Sequence, residues 1–299
     1  MKHSEHRILT THAGSLIRPA ELLELAARAG DGDQADRTTF EASLRQSVVE
    51  VVRKQADIGL DIVSDGEYGK SSWAAYVLER LTGFELHTDR LIPLVWLGRD
   101  RDRFRDFFAV SDMPGALHGA PTEVCVGPIT YTGSASLQRD LANFRRALQE
   151  VQVEDAFFTA VAPASTAYNG VNEYYPTERD YVYAIADALR EEYRAILDAN
   201  LLLQVDDAVL ANMYDWLVQQ SPARYREWAQ LRVDALNHAL EGIPEERVRY
   251  HVCFGSWHVP HVADAPLEEI VDFILQVRAG AYSIEAANPR HEHEWRVWE

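Results

Sequence analysis

LLLQV, Leu201–Val205, is a short apolar run closed by Asp206 and Asp207, and the pattern around it decides the fold. A long amphipathic stretch follows over Ser221–Leu240. Then come VRYHVC (Val248–Cys253), a second helical stretch over Leu267–Arg278, and YSIEA (Tyr282–Ala286). Short strands alternating with helices at this spacing form parallel βαβ units. The same rhythm runs upstream. RILTT (Arg7–Thr11) reads as a strand, and Phe40–Ile58 is helical and stops at Gly59 before the strand DIVS (Asp61–Ser64). EVCVGPIT (Glu123–Thr130) precedes a helix over Leu137–Val151. AFFTAVA (Ala156–Ala162) precedes a helix that Thr177 caps and that runs to Ala199.

These are seven strands, and a closed barrel of this class has eight. The expected fold is therefore α/β: a parallel (β/α)8 TIM-type barrel with strand eight missing from the 299-residue chain, as a single catalytic domain over residues 1–299. An incomplete barrel would leave two open sheet edges, which invites pairing with another chain, a homo-oligomer included. The other expectation is that the natural chain continues past Glu299 and supplies the strand. One segment breaks the rhythm. Phe84–Gly119 is rich in aromatics and carries Arg99, Arg101, Arg103 and Arg105. It reads either as an insertion with its own small structure or as a lid over the barrel mouth.

Composition narrows the function. Forty-seven acidic against 29 basic residues leave a formal charge of −18, which argues against nucleic acid and anionic membranes as partners. Two cysteines, Cys125 and Cys253, exclude a disulfide framework and suit a reducing cytoplasm. No apolar run reaches the roughly 18 residues of a membrane span. The start lacks the apolar core of a signal peptide. Small molecules remain the expected partners.

In a parallel barrel the functional groups sit at the C-terminal ends of the strands. Those ends offer His12, Gly14 and Ser15; Asp65, Gly66 and Glu67; Asp206 and Asp207; His251 and Cys253; and Glu285. Imidazole, thiolate and carboxylate are the ligand types of zinc. His251 and Cys253 stand two apart, so a strand turns both to one face. Glu285 lies one βα unit later and can be their neighbour. A buried cysteine is also commonly a small hydrophobe. Adjacent Asp206 and Asp207 cannot both point inward, so the outer one is structural. Arg18 and Lys70, just past strand ends, suit an anionic substrate. His258 and His261 follow the His-x-Cys strand in a loop, and His291 and His293 read as a polar helix start.

Five motifs occur in order at strand ends: TTHAGSLIRP (Thr10–Pro19), DIVSDGE (Asp61–Glu67), LQVDD (Leu203–Asp207), HVC (His251–Cys253) and SIE (Ser283–Glu285). Together they resemble the catalytic barrel of cobalamin-independent methionine synthase. The likeness is closest to its short single-barrel relatives, a group that includes epoxyalkane:coenzyme M transferase. The resemblance implies a zinc-dependent methyl- or alkyltransferase acting on a thiol, with homocysteine as a candidate acceptor. It implies Zn2+ on His251, Cys253 and Glu285. It implies Ser15 and Glu67 on the amino-acid thiol, Asp206 on its amino group, and His12 and Arg18 of the first motif in the same substrate-binding set. Zinc has a physical role here: a free thiol has a pKa of about 8.5 and is mostly protonated at neutral pH, and the metal deprotonates it.

Three departures stand out. Asp207-Ala208 replaces the Glu-Pro of the family signature. Tyr131-Thr132-Gly133-Ser134 lacks the tryptophan that stacks on folate in the methionine synthases. No cysteine follows Cys253 to serve as a fourth zinc ligand. The competing expectations are a zinc-dependent hydrolase or lyase on the same barrel, and a truncated relative without catalysis.

Overall fold

The computed structural model describes residues 1–30, 34–72, 75–111, 117–255 and 258–299. Its strands are β1 (Ile62–Val63), β2 (Phe84–Ile92), β3 (Ala120–Cys125), β4 (Asp155–Val161), β5 (Gly170–Asn172), β6 (Leu202–Asp207), β7 (Val248–Val252) and β8 (Ala281–Ile284). Five of them form one sheet in the order β1-β4-β6-β7-β8, with every pairing parallel. The expected α/β class and parallel sheet are present. Among the described residues no closed eight-stranded barrel forms, and the five parallel strands make a half-barrel.

Two expected strands fare differently. Arg7–Thr11 contributes only an isolated parallel bridge, Thr11 to Ile62. The reason lies in Asp61, whose carboxylate takes the N–H of Thr10 at 2.6 Å and pairs with Arg7, so a side chain replaces a ladder bond. The Glu123 strand belongs to a second, three-stranded sheet, β2-β3-β5. It pairs antiparallel with β2 of the insertion, Phe84 opposite Cys125. It ends at Cys125 rather than running to Thr130, because Gly127-Pro128 follows and proline has no N–H for a ladder. β1 therefore pairs directly with β4.

The helices begin where their caps place them. Thr177 accepts from the N–H of Asp180 at 3.0 Å to open Glu178–Asp198, and Ser221 accepts from Arg224 at 3.1 Å to open Pro222–Ala239. Among the described residues no helix is long and apolar enough to cross a membrane.

Strand alternation divides the main sheet into two faces. Phe158, Leu203, Val205, Tyr250 and Val252 pack into the large core shared with the helices. Ile62, Phe157 and Leu202 form a separate small core on the concave side. Further along the same face come Thr159, Gln204 and Arg249, all buried, and then Asp206 and His251. The concave face thus grades from apolar to polar toward the strands' C-terminal ends.

Thr177→Ala should lower stability by about 1 kcal/mol, because it strands an N–H of the first helical turn. Thr177→Ser should cost much less. Urea denaturation of both variants measures the difference.

Candidate active site

The turn after β1 builds half of the site. Gly66 and Glu67 both take left-handed backbone, with φ of 68° and 62°. For glutamate this costs on the order of 1 kcal/mol, so other contacts must impose it. Asp65 Oδ1 accepts from the N–H of Glu67 at 3.0 Å, and Arg18 Nη2 donates to the carbonyls of Glu67 (2.7 Å) and Lys70 (3.0 Å). The result turns the Glu67 side chain inside, where the residue is 2% exposed.

There Thr159 Oγ1 donates to Glu67 Oε1 at 2.6 Å, and Lys70 Nζ stands 3.5 Å from the same oxygen. Lys70 also donates to the Thr159 carbonyl at 2.8 Å and lies over the rings of Tyr76 and Phe158. Burial pushes the Glu67 carboxyl up. The Lys70 charge, the hydroxyls of Thr159 and Ser15, and Arg18 outweigh it and hold the group below its ordinary value. The second oxygen, Glu67 Oε2, is buried without a partner. Neighbouring Asp65 has no comparable support, and burial pushes it up to about 6.

The other half comes from β6 and β7. Asp206 Oδ1 accepts from Gln204 Nε2 at 2.7 Å and bonds His251 Nδ1 at 2.8 Å. Gln204 Nε2 also donates to the carbonyl of Ala13, and Arg249 Nη2 donates to that of His12 at 2.8 Å. The His12–Ser15 loop is thereby drawn across the strand ends. Gly14 is needed there, because a Cβ on it would lie 3.2 Å from Thr159 Cγ2 and 3.6 Å from Glu67 Oε1. His12 Nε2 bonds Gln55 Oε1 at 2.6 Å, and burial pulls its imidazole pKa down.

Glu67 with Thr159 and Lys70, and Asp206 with Gln204 and His251, thus form two polar clusters on either side of Gly14, and His12 and Arg18 bond the flanking turn and helix. The Arg18 guanidinium is spent on two carbonyls and the Lys70 ammonium on Thr159 and Glu67. Asp207 turns the other way, as adjacency requires. It accepts from Tyr250 Oη at 2.9 Å, Ser165 Oγ at 3.2 Å and the N–H groups of Val209 and Leu210. Sequence reasoning passed over Thr159, Gln204 and Arg249. For Gln204 and Arg249 the signal was present, each a polar residue inside a short strand and two positions before a predicted site residue, Asp206 or His251; Thr159 had no such neighbour on its own strand.

The zinc donors are adjacent but not gathered. β7 and β8 pair with His251 opposite Ser283 and Val252 opposite Ile284, so Cys253 and Glu285 come next on neighbouring strands. The Cys253 sulfur accepts from the N–H of Gly255 at 3.3 Å. Burial pushes its thiol up against that N–H, and the carboxylates of Asp206, Glu285 and Asp207 push the same way. A thiolate here calls for a cation. His251 bonds Asp206 through Nδ1, which leaves Nε2 available to a metal. Glu285 is exposed and bonds Asn288. Among the described residues, no three His, Cys, Asp or Glu stand close enough to hold a metal ion. The donor chemistry fits zinc, while the arrangement leaves the ring of donors open.

The insertion has its own structure, the β2–β3 hairpin and short helices over Gly98–Arg103 and Arg105–Val110. Residues 112–116 of it lie outside the described residues. It is anchored at the site's end of the sheet. Arg99 Nε donates to Asp215 at 2.7 Å, and Asp100 Oδ2 accepts from the N–H groups of Val262 (2.6 Å) and Ala263 (3.1 Å). Nearby, His291 is no solvated helix start. It is 2% exposed and bonded to Glu294 and Asp264, and Asp264 also bonds His261.

No protein-family model matches the chain. It is 26% identical over 266 residues to a methionine synthase of Sulfolobus acidocaldarius, covering 87% of this chain and 66% of that protein. It is 23% identical over 284 residues to a 5-methyltetrahydropteroyltriglutamate–homocysteine methyltransferase of Thermotoga petrophila, covering 95% of this chain and 33% of that one. The chain therefore spans from one third to just under two thirds of the length of these relatives. Two solved structures share its fold. A putative vitamin-B12-independent methionine synthase from Listeria monocytogenes overlays with a TM-score of 0.57 and 20% identity, covering 84% of this chain and 68% of that one. A B12-independent methionine synthase from a Shewanella species, in complex with selenomethionine, gives 0.52 and 18%, covering 73% and 53%.

Asp65 makes the site's pH dependence testable. Its folded pKa of about 6 lies above the ordinary 3.8, so between those values the native state holds the extra proton and stability falls as pH rises. Asp65→Asn removes that titration and keeps an oxygen for the Glu67 N–H. The variant's stability relative to wild type should rise from about pH 4 to about pH 6 and then level off. Urea denaturation across that range measures it, and a flat difference would contradict the assignment.

Proposed function

We propose, on the chain's similarity to methionine synthases, that it belongs with the cobalamin-independent methionine synthases and transfers a methyl or other alkyl group to a thiol, with homocysteine as the acceptor. The observation that carries this is the junction at Asp206. One carboxylate links the Ser15–Glu67 half of the site, through Gln204 and Ala13, to His251 beside Cys253.

His251, Cys253 and Glu285 would hold Zn2+, which when bound lowers the pKa of a thiol and presents it as thiolate. The chain's own residues do the rest. Lys70 and Thr159 keep Glu67 ionised inside the fold, so that it can pair with a substrate ammonium. Ser15 stands at the rim beside it. Asp206 fixes the tautomer of His251 with Nδ1 as the donor. His12 and Arg18 shape the loop through their bonds to Gln55 and to the turn carbonyls. The anchored 84–119 insertion serves as a lid that excludes water from this end of the sheet.

A donor other than folate is the second reading, and one observation favours it. Tyr131 stands where the stacking tryptophan is absent, and its hydroxyl donates to buried Glu192 at 2.9 Å, which ties it into the fold.

Cys253→Ser should lower bound zinc by about tenfold or more, as loss of a metal ligand does, while Cys125→Ser, in the core behind β3, should leave it unchanged. Elemental analysis reads this without reference to activity. Product analysis with methyl donors should show turnover only when homocysteine is present. Turnover without any thiol would redirect the assignment to hydrolysis or lysis.

A further inference from the structure

Gln204 is fully buried in β6 and belongs to none of the five motif roles above. Its Nε2 donates to the carbonyl of Ala13 and to Asp206 Oδ1. Both partners are acceptors only. The amide therefore has one possible orientation, since turning it over would set Oε1 against two acceptors. Oε1 is held in place, buried, and has no partner. Glu67 Oε2 is in the same condition. The two side chains flank one glycine: a Cβ on Gly14 would lie 3.6 Å from Glu67 Oε1 and 3.9 Å from Gln204 Nε2. Each of these two side chains beside Gly14 thus carries one buried acceptor without a donor, one of them on a carboxylate, and Asp206 is bonded to Gln204, a set of groups that suits a small cation rich in N–H groups. The nearby ammonium of Lys70 is already committed to Thr159 and Glu67 and does not fill it.

We infer that Gln204 Oε1 is a specificity-determining acceptor for the primary ammonium of the substrate, acting together with the Glu67 carboxylate. The inference rests on the amino-acid thiol reading given above and adds a residue to it. A buried acceptor that meets its donor only in the complex makes the site reject ligands that lack the donor.

The test compares L-methionine with its desamino analogue, 4-(methylthio)butanoate, by calorimetric titration of the whole chain. Wild type should prefer L-methionine. Gln204→Met should weaken L-methionine by about tenfold to hundredfold and leave the analogue within about twofold. Gln204→Glu, whose protonated carboxyl can donate to Asp206 and still offer an oxygen, should keep the preference. If Gln204→Met does not fold, Gln204→Asn takes its place and should lose the preference by withdrawing the oxygen. Equal losses for both ligands, or an unchanged ratio, would overturn the role of Gln204 while leaving the substrate reading intact. Wild type that binds neither ligand would sink the substrate reading, and this inference with it.

Discussion

The ion pair of Glu67 and Lys70 is the constraint on which the rest of the site depends. Both side chains are almost wholly removed from water, at 2% and 1% exposure. Removing one partner of such a pair costs about 3–5 kcal/mol, because the other charge is left uncompensated. The fold therefore surrounds the pair with further support. Thr159 takes a bond from Lys70 and donates one to Glu67. Tyr76 and Phe158 present ring faces to the ammonium. Reaching this arrangement requires left-handed backbone at Glu67, and Arg18 clamps the two carbonyls that define that turn. Arg18 thereby fixes where the Glu67 carboxylate stands.

The polarity gradient on the concave face follows from the same economy. A sheet interior can hold polar groups only when each finds a partner. Thr159, Gln204 and Arg249 bond the Thr11–Ser15 loop and the Glu67 turn rather than one another, and only Gln204 Oε1 and Arg249 Nε among their polar atoms are left without a partner. The loop is held by side chains where a first barrel strand would be held by ladder bonds. The insertion completes this end of the molecule. Its strand β2 captures the Glu123 strand, and its helix at Gly98–Arg103 is pinned to the segments after β6 and β7.

The donors at the edge strand show how chemistry and assembly differ. His251, Cys253 and Glu285 have the right atoms for zinc and follow from adjacent strand registers. Register sets neighbours along the hydrogen-bond direction. It does not set the distance between side chains that project past the strand ends, where Glu285 turns to Asn288. Among the described residues β8 pairs with no strand on its outer side, so no ladder continues past it to fix Glu285.

The alternation of short apolar runs and long amphipathic ones determined the α/β class and the parallel sense of the main sheet's strands. Period-two spacing determined that His251 and Cys253 share a face and that Asp206 and Asp207 do not. Both are local properties, legible because side-chain direction is fixed by the backbone two or three residues away. Only tertiary structure decided which strand each run would pair with. The Glu123 run left the main sheet to pair antiparallel with β2, Phe84 opposite Cys125 and Leu86 opposite Glu123, and no local pattern encodes the choice between partners. Only tertiary structure decided that Lys70 and Arg18 would be spent inside the fold, that Thr159 would join Glu67 across 92 residues, and that Gln204 would keep one oxygen free. Those outcomes depend on burial. A charge's worth changes several-fold between water and a packed interior, and the sequence does not state in which of the two a given side chain will stand.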